Sequence, residues 1–164
     1  KRIYFSRRKS KGTRSYSILC SARLDGSRER KHLRIYGAED MIISPDENWL
    51  MFRQLHQVFV AVLPPGQAKP ISLGIPDGRL GGSKLPVMRL STIGGSWPQW
   101  GPKSLLTWSL GHSFYTLPWS QVTAEFERKA SKRGHKKKVK RAKKEKKAKP
   151  LKRPKPVKAV AVRH

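Results

Sequence analysis

The chain has 164 residues, enough for one domain around one core. Its formal net charge of +27 and pI of about 11.1 are extreme for a globular domain. No run approaches the roughly 20 apolar residues needed to span a bilayer, and a single cysteine, Cys20, excludes an internal disulfide.

The charge is unevenly placed. From Lys1 to Glu127 about 18 Lys and Arg face about 9 Asp and Glu; from Arg128 to His164 about 19 face one. The first part reads as a mildly basic folded domain and the second as a polybasic tail. The chain enters at Lys1, without Met, on the apolar triplet Ile3-Tyr4-Phe5, as a piece of something larger or a processed product would. The compartment stays open: periplasmic or secreted, if a signal peptide precedes Lys1.

In chain order, residues 1–5 read as a strand entering a polar loop over 6–15. Residues 16–24 are a strand stopped by Asp25-Gly26, a strong turn signal, with Cys20 as a small core residue. His32 to Tyr36 alternates with period two and reads as a half-buried strand ended by Gly37. Met41 to Phe52 is a hairpin about Ser44-Pro45-Asp46-Glu47-Asn48. There Pro45 sets φ, and Asp46 and Asn48 bond their own backbone. Gln57 to Leu63 is apolar on both faces, as expected of a strand covered on both sides. Short strands follow at 70–73 and 86–91, with a Gly/Pro-rich loop over 74–84 between them. Gly94-Gly95 leads into a second hairpin, Trp97 to Trp108, and Ser113 to Leu117 is the last strand. Nine or ten short strands without an amphipathic helix predict an all-β fold.

The two hairpins repeat. Ser44-Pro45 and Gly101-Pro102 lie 57 positions apart, each followed by a strand with an aromatic, Phe52 or Trp108, and then by a further strand. A period of about 40–60 residues with four strands per unit predicts propeller blades, each of which needs its neighbours to cover its faces. The expected architecture is a partial β-propeller of two to three four-stranded antiparallel blades over residues 1–120. A Lys-rich, disordered or partly helical tail over 121–155 follows, and 156–164 read as a further strand.

The ordered set of Leu-Asp-Gly, Ser-Pro-Asp-x-x-Trp-Leu-x-Phe, Val-Phe-Val-Ala, Gly-Gly-x-Trp-Pro-x-Trp-x-Pro and Leu-Thr-Trp-Ser-Leu-Gly resembles the TolB-like β-propeller repeat. More closely it is similar to the last blades of the propeller that precedes the metal-dependent catalytic domain in amidohydrolase-family proteins. The likeness covers residues 1–120. It implies a non-catalytic scaffold whose partners are the remaining blades and that catalytic domain, and a divalent metal held only there. Two departures stand out. The second turn, Gly101-Pro102-Lys103-Ser104, lacks the Asp and is one residue shorter, so its geometry should differ. The tail is also richer in Lys than the family's linker. Such blades, made alone, leave open faces and edges and should be unstable or self-associate.

Catalytic constellations are missing from the chain itself. The five histidines, His32, His56, His112, His135 and His164, form no His-x-His or His-x-x-x-His pair and read as scattered surface or loop residues. Neither a Gly-x-Ser-x-Gly elbow nor a phosphate-binding glycine loop occurs. We therefore expect no catalytic, cofactor or metal residue here. Asp46 reads as a turn-holding carboxylate, with a ligand at a propeller mouth as the alternative. Trp49 and Trp108 read as packing between blades, while Trp97 and Trp100, beside Gly and Pro, are candidate contact aromatics.

The tail carries Lys136, Lys137, Lys138, Lys140, Arg141, Lys143, Lys144, Lys146 and Lys147 almost without acid. It should neutralise phosphates without sequence preference, as a nucleic-acid-binding segment or as a charged linker. Its Ala, Lys, Arg and Glu are compatible with a helix from about Ser120 to Lys149, which like-charge i,i+4 pairs oppose. Two rival functions remain: a basic nucleic-acid-binding protein acting through this tail, and a periplasmic TolB-like binding propeller.

Overall fold

The computed structural model describes residues 1–74 and 85–131. The chain is mostly β. Among the described residues eleven strands form three sheets, and one helix follows the last strand. Residues 1–126 make one compact unit.

The first sheet is ordered β1 (Arg2–Lys11), β2 (Arg14–Arg23), β3 (Arg30–Tyr36) and β7 (Ile71–Leu73). The expected polar loop over 6–15 is instead the end of a long hairpin. Arg7 pairs with Ile18 and Lys9 with Tyr16, and the chain reverses at Gly12 with a φ of 61°. Charged residues obscure the period there, but backbone pairing with an apolar β2 holds the segment extended. The Asp25-Gly26 turn forms as expected: Gly26 (φ 79°) donates to the Arg23 carbonyl, and the Asp25 carboxylate accepts from the Ser27 amide. The sheet departs from a purely antiparallel unit, because β7 pairs parallel with β3.

The second sheet is an antiparallel series, β4 (Ala38–Ile43), β5 (Trp49–Gln54), β6 (Gln57–Val62) and β8 (Val87–Arg89). The third repeats its first three strands as β9 (Ser96–Gly101), β10 (Leu105–Leu110) and β11 (Ser113–Pro118). β5 and β6 reappear 56 positions on as β10 and β11, with the same strand lengths and a turn of the same two-residue length. Phe52 and Trp108 hold the same place in their strands.

The second sheet lies at the centre. Leu50, Phe52, Phe59 and Ala61 pack with Leu19, Leu33, Ile35 and Leu73 of the first sheet, and Phe52 stacks on Phe59 at 5.5 Å. Met51, Val58 and Val60 emerge on the opposite face and pack with Leu106 and Trp108 of the third. β6 is thus covered on both sides, as its unbroken apolar run requires. Gly95 allows the third sheet this close approach, since a Cβ there would sit 2.6 Å from the Trp108 ring and 2.7 Å from Val58.

Helix α1 begins at residue 119, and its described part runs to 131. Trp119, Val122 and Phe126, spaced three and four apart, carry it onto the second core. The remainder of the tail read as disordered or partly helical, the loop over 75–84, the tail cations from Lys136 to Lys147 and the terminal strand read at 156–164 lie outside the described residues.

His32 departs from the expectation of a surface or loop histidine. It is buried in β3 at a bulge, its Nε2 2.7 Å from the Ser21 hydroxyl and its Nδ1 2.9 Å from the Pro64 carbonyl. Both ring nitrogens are satisfied, which removes the cost of burying them.

Candidate interaction groove

The turn between β4 and β5 is built around one carboxylate. Ser44 donates its hydroxyl to Asp46 Oδ1, the Asn48 amide donates to the same oxygen at 3.3 Å, and Asn48 Nδ2 donates to Oδ2 at 2.9 Å. Ser44 also accepts the Trp49 amide on its Oγ and the Glu47 amide on its carbonyl, both at 2.9 Å. The Ser44 hydroxyl above all, then Asn48, holds the Asp46 carboxyl below its ordinary value. With both oxygens engaged, Asp46 fastens the turn. Glu47, at a φ of 56°, reaches the first sheet and accepts the Tyr4 hydroxyl at 2.8 Å. Burial first, and Glu47 second, push the Tyr4 phenol up to about 12.

The corresponding turn between β9 and β10 differs. Pro102 to Ser104 form a 3-10 turn in which the Leu105 amide donates to the Pro102 carbonyl, and Ser104 takes a φ of 57°. Loss of the Asp and of one residue leaves no carboxylate to organise a longer loop.

These two turns face a common groove of about 410 Å³, lined by Ser44, Pro45, Asp46, Trp49, Trp100, Gly101, Pro102, Ser104 and Trp119. Six of the seven turn and contact residues singled out in the sequence are brought together here: Ser44, Pro45, Asp46, Gly101, Pro102 and Trp100. Trp100 is fixed by donating Nε1–H to the Ile42 carbonyl at 3.1 Å. Trp119 meets Trp49 at 4.8 Å and Trp100 at 5.2 Å, both edge to face. The wall is therefore three half-buried indoles with a charged carboxylate at the rim, a surface suited to flat or apolar groups.

Trp97 lies elsewhere. It is 73% exposed with a φ of 54°, beside Ser96, Asp40 and Arg53. Arg53 bridges Glu39 at 2.6 Å and Asp40 at 2.7 Å, and the Asp40 hydrogen bond raises its pKa further. Trp108 is buried and stacks on Tyr115 at 5.8 Å, so it packs between sheets. The sequence pattern points to neither Trp49 nor Trp119 as a contact residue. A strand aromatic gives no sign of which rim it will line, and Trp119 reaches the groove only through a helix that packs back on the core.

Among the described residues no group of three or more His, Cys, Asp or Glu side chains gathers to hold a metal, and no helix is long and apolar enough to cross a membrane. Compared with models of known families, with characterised proteins and with solved structures, the chain matches none.

Proposed function

We propose that the three sheets are successive blades of a TolB-like β-propeller. In this reading they form the non-catalytic scaffold of an amidohydrolase-family protein, a metal-dependent C–N hydrolase whose divalent metal is held by its catalytic domain. The observation that carries this reading is the repeat in space. A four-stranded antiparallel sheet and a three-stranded one share a 56-residue offset and stack face to face. A blade cannot bury both of its faces alone, and the central sheet here has a neighbour on each side. The ordered motifs favour this family, and the groove between the two repeat turns is a surface on which another domain could seat.

An antibody against the folded unit, used to purify the native protein, tests this. The proposal expects C–N bond hydrolysis that a divalent-metal chelator abolishes and added metal restores. A native protein without such activity across amide and cyclic-amide substrates contradicts the hydrolase assignment.

A further inference from the structure

The groove between the two repeat turns is out of character for so basic a chain. Lys and Arg outnumber Asp and Glu by 37 to 10, yet of the nine described residues that line the groove only Asp46 is charged. Hydrogen bonds from Ser44 and Asn48 hold that carboxyl below its ordinary value, so it is ionised at neutral pH. The groove lies at the ends of the sheets, at the β4–β5 and β9–β10 turns, so blades stacked face to face leave it open.

The three indoles supply walls. Trp119 stands at 72° to Trp49 and at 69° to Trp100, with ring centroids 4.8 and 5.2 Å away. Walls this close and nearly at right angles let one cation lie within about 6 Å of more than one ring centroid, and indole attracts cations best of the aromatic side chains. Trp100 is held by the Ile42 carbonyl, and Trp49 packs against Phe126 at 5.0 Å.

The hydrogen-bonding capacity is mostly taken. A carboxylate has about four acceptor sites. Asp46 uses three of them on the Ser44 hydroxyl, the Asn48 amide and Asn48 Nδ2. The Ser44 hydroxyl also accepts the Trp49 amide. An ammonium or guanidinium group brings three to five N–H donors, more than these acceptors can satisfy. A quaternary ammonium brings the charge and a shell of methyl groups but no donor, and needs only ring faces and a nearby anion.

We propose that this groove binds the trimethylammonium group of a small solute such as choline, with Trp49, Trp100 and Trp119 around the methyl groups and Asp46 as the counter-charge. The volume of about 410 Å³ falls in the range of small-molecule sites. Such a site goes beyond the scaffold reading and does not depend on it. A domain seated on the two turns would roof the pocket, and ligand sites are common at domain interfaces.

Choline chloride titrated into the isotope-labelled full chain, followed through the indole N–H signals, tests this without any variant. The Trp49, Trp100 and Trp119 signals should shift on one saturating curve, while that of the exposed Trp97 stays still. Ethanolamine, which keeps its N–H donors, and the uncharged tert-butyl counterpart of choline should each bind about ten-fold more weakly. Asp46→Asn should weaken choline about ten-fold and leave the uncharged counterpart unchanged. Trp119→Leu should weaken both, and Trp97→Ala neither. Equal affinity for choline and ethanolamine overturns the proposal, as does the absence of any choline-dependent shift, or a Trp97 shift as large as those of the groove indoles. So does binding to phosphatidylcholine vesicles or to a trimethyl-lysine peptide that free choline fails to displace. Hydrolysis is not part of the readout, so failure here leaves the scaffold reading standing, and the reverse holds too.

Discussion

At the scale of single residues, Asp46 is the clearest case of a side chain whose role follows from its neighbours. Its two oxygens accept from Ser44 and Asn48, and this ties an exposed turn to the buried Ser44. Asp46→Ala removes the acceptor of the Ser44 hydroxyl and should cost about 1 kcal/mol in chemical denaturation. The carboxyl sits below its ordinary value, so its contribution is complete above the usual carboxylate range, about pH 4, and is lost as pH falls through the lowered value. The stabilities of wild type and variant should therefore converge on acidification; a constant gap down to pH 2 would show that the charge is irrelevant. The turn chemistry was readable because Ser, Pro, Asp and Asn each bias the backbone locally. The burial of His32 was not, because its partners, Ser21 on a neighbouring strand and Pro64 in a distant loop, are set by tertiary pairing.

At the scale of elements, the β5–β6 hairpin turns on Leu55 and His56, both at positive φ, 47° and 63°. Two left-handed positions suit Asn-Gly far better than a γ-branched and an imidazole side chain, and Leu55 is 67% exposed, so it gives up little packing. Leu55→Asn with His56→Gly should raise stability by about 0.5–1 kcal/mol, read as a higher midpoint in urea. No gain would mean that the native side chains stabilise the turn in a way the backbone does not reveal. Strand identity was legible wherever apolar residues alternated or ran on, as in β2, β3 and β6. The β1 hairpin was hidden because Arg and Lys occupy both parities between residues 7 and 11. Long cationic side chains tolerate an extended strand when their stems lie on a sheet and their heads reach water. The parallel seat of β7 beside β3 was equally hidden, because a three-residue strand carries no periodicity of its own.

At the scale of the molecule, the stack of three sheets explains both cores and gives each surface its own character. The centre is apolar on both faces, one outer face is cationic with rings, and the two repeat turns open an indole-lined groove. The repeat was legible as Ser44-Pro45 and Gly101-Pro102. The groove they share was not, because it needs Trp119, and a Lys-rich tail with a possible helix gives no sign that its first turn packs back on the core. The central claim is that these sheets are consecutive blades about a common axis. Electron microscopy of the native protein, purified through the folded unit, tests it most directly. The account predicts a ring of radiating sheets, with residues 38–62 in a blade flanked by residues 2–36 on one side and 96–118 on the other. A closed two-sheet sandwich, or a ring in which these three segments are not adjacent, would contradict it.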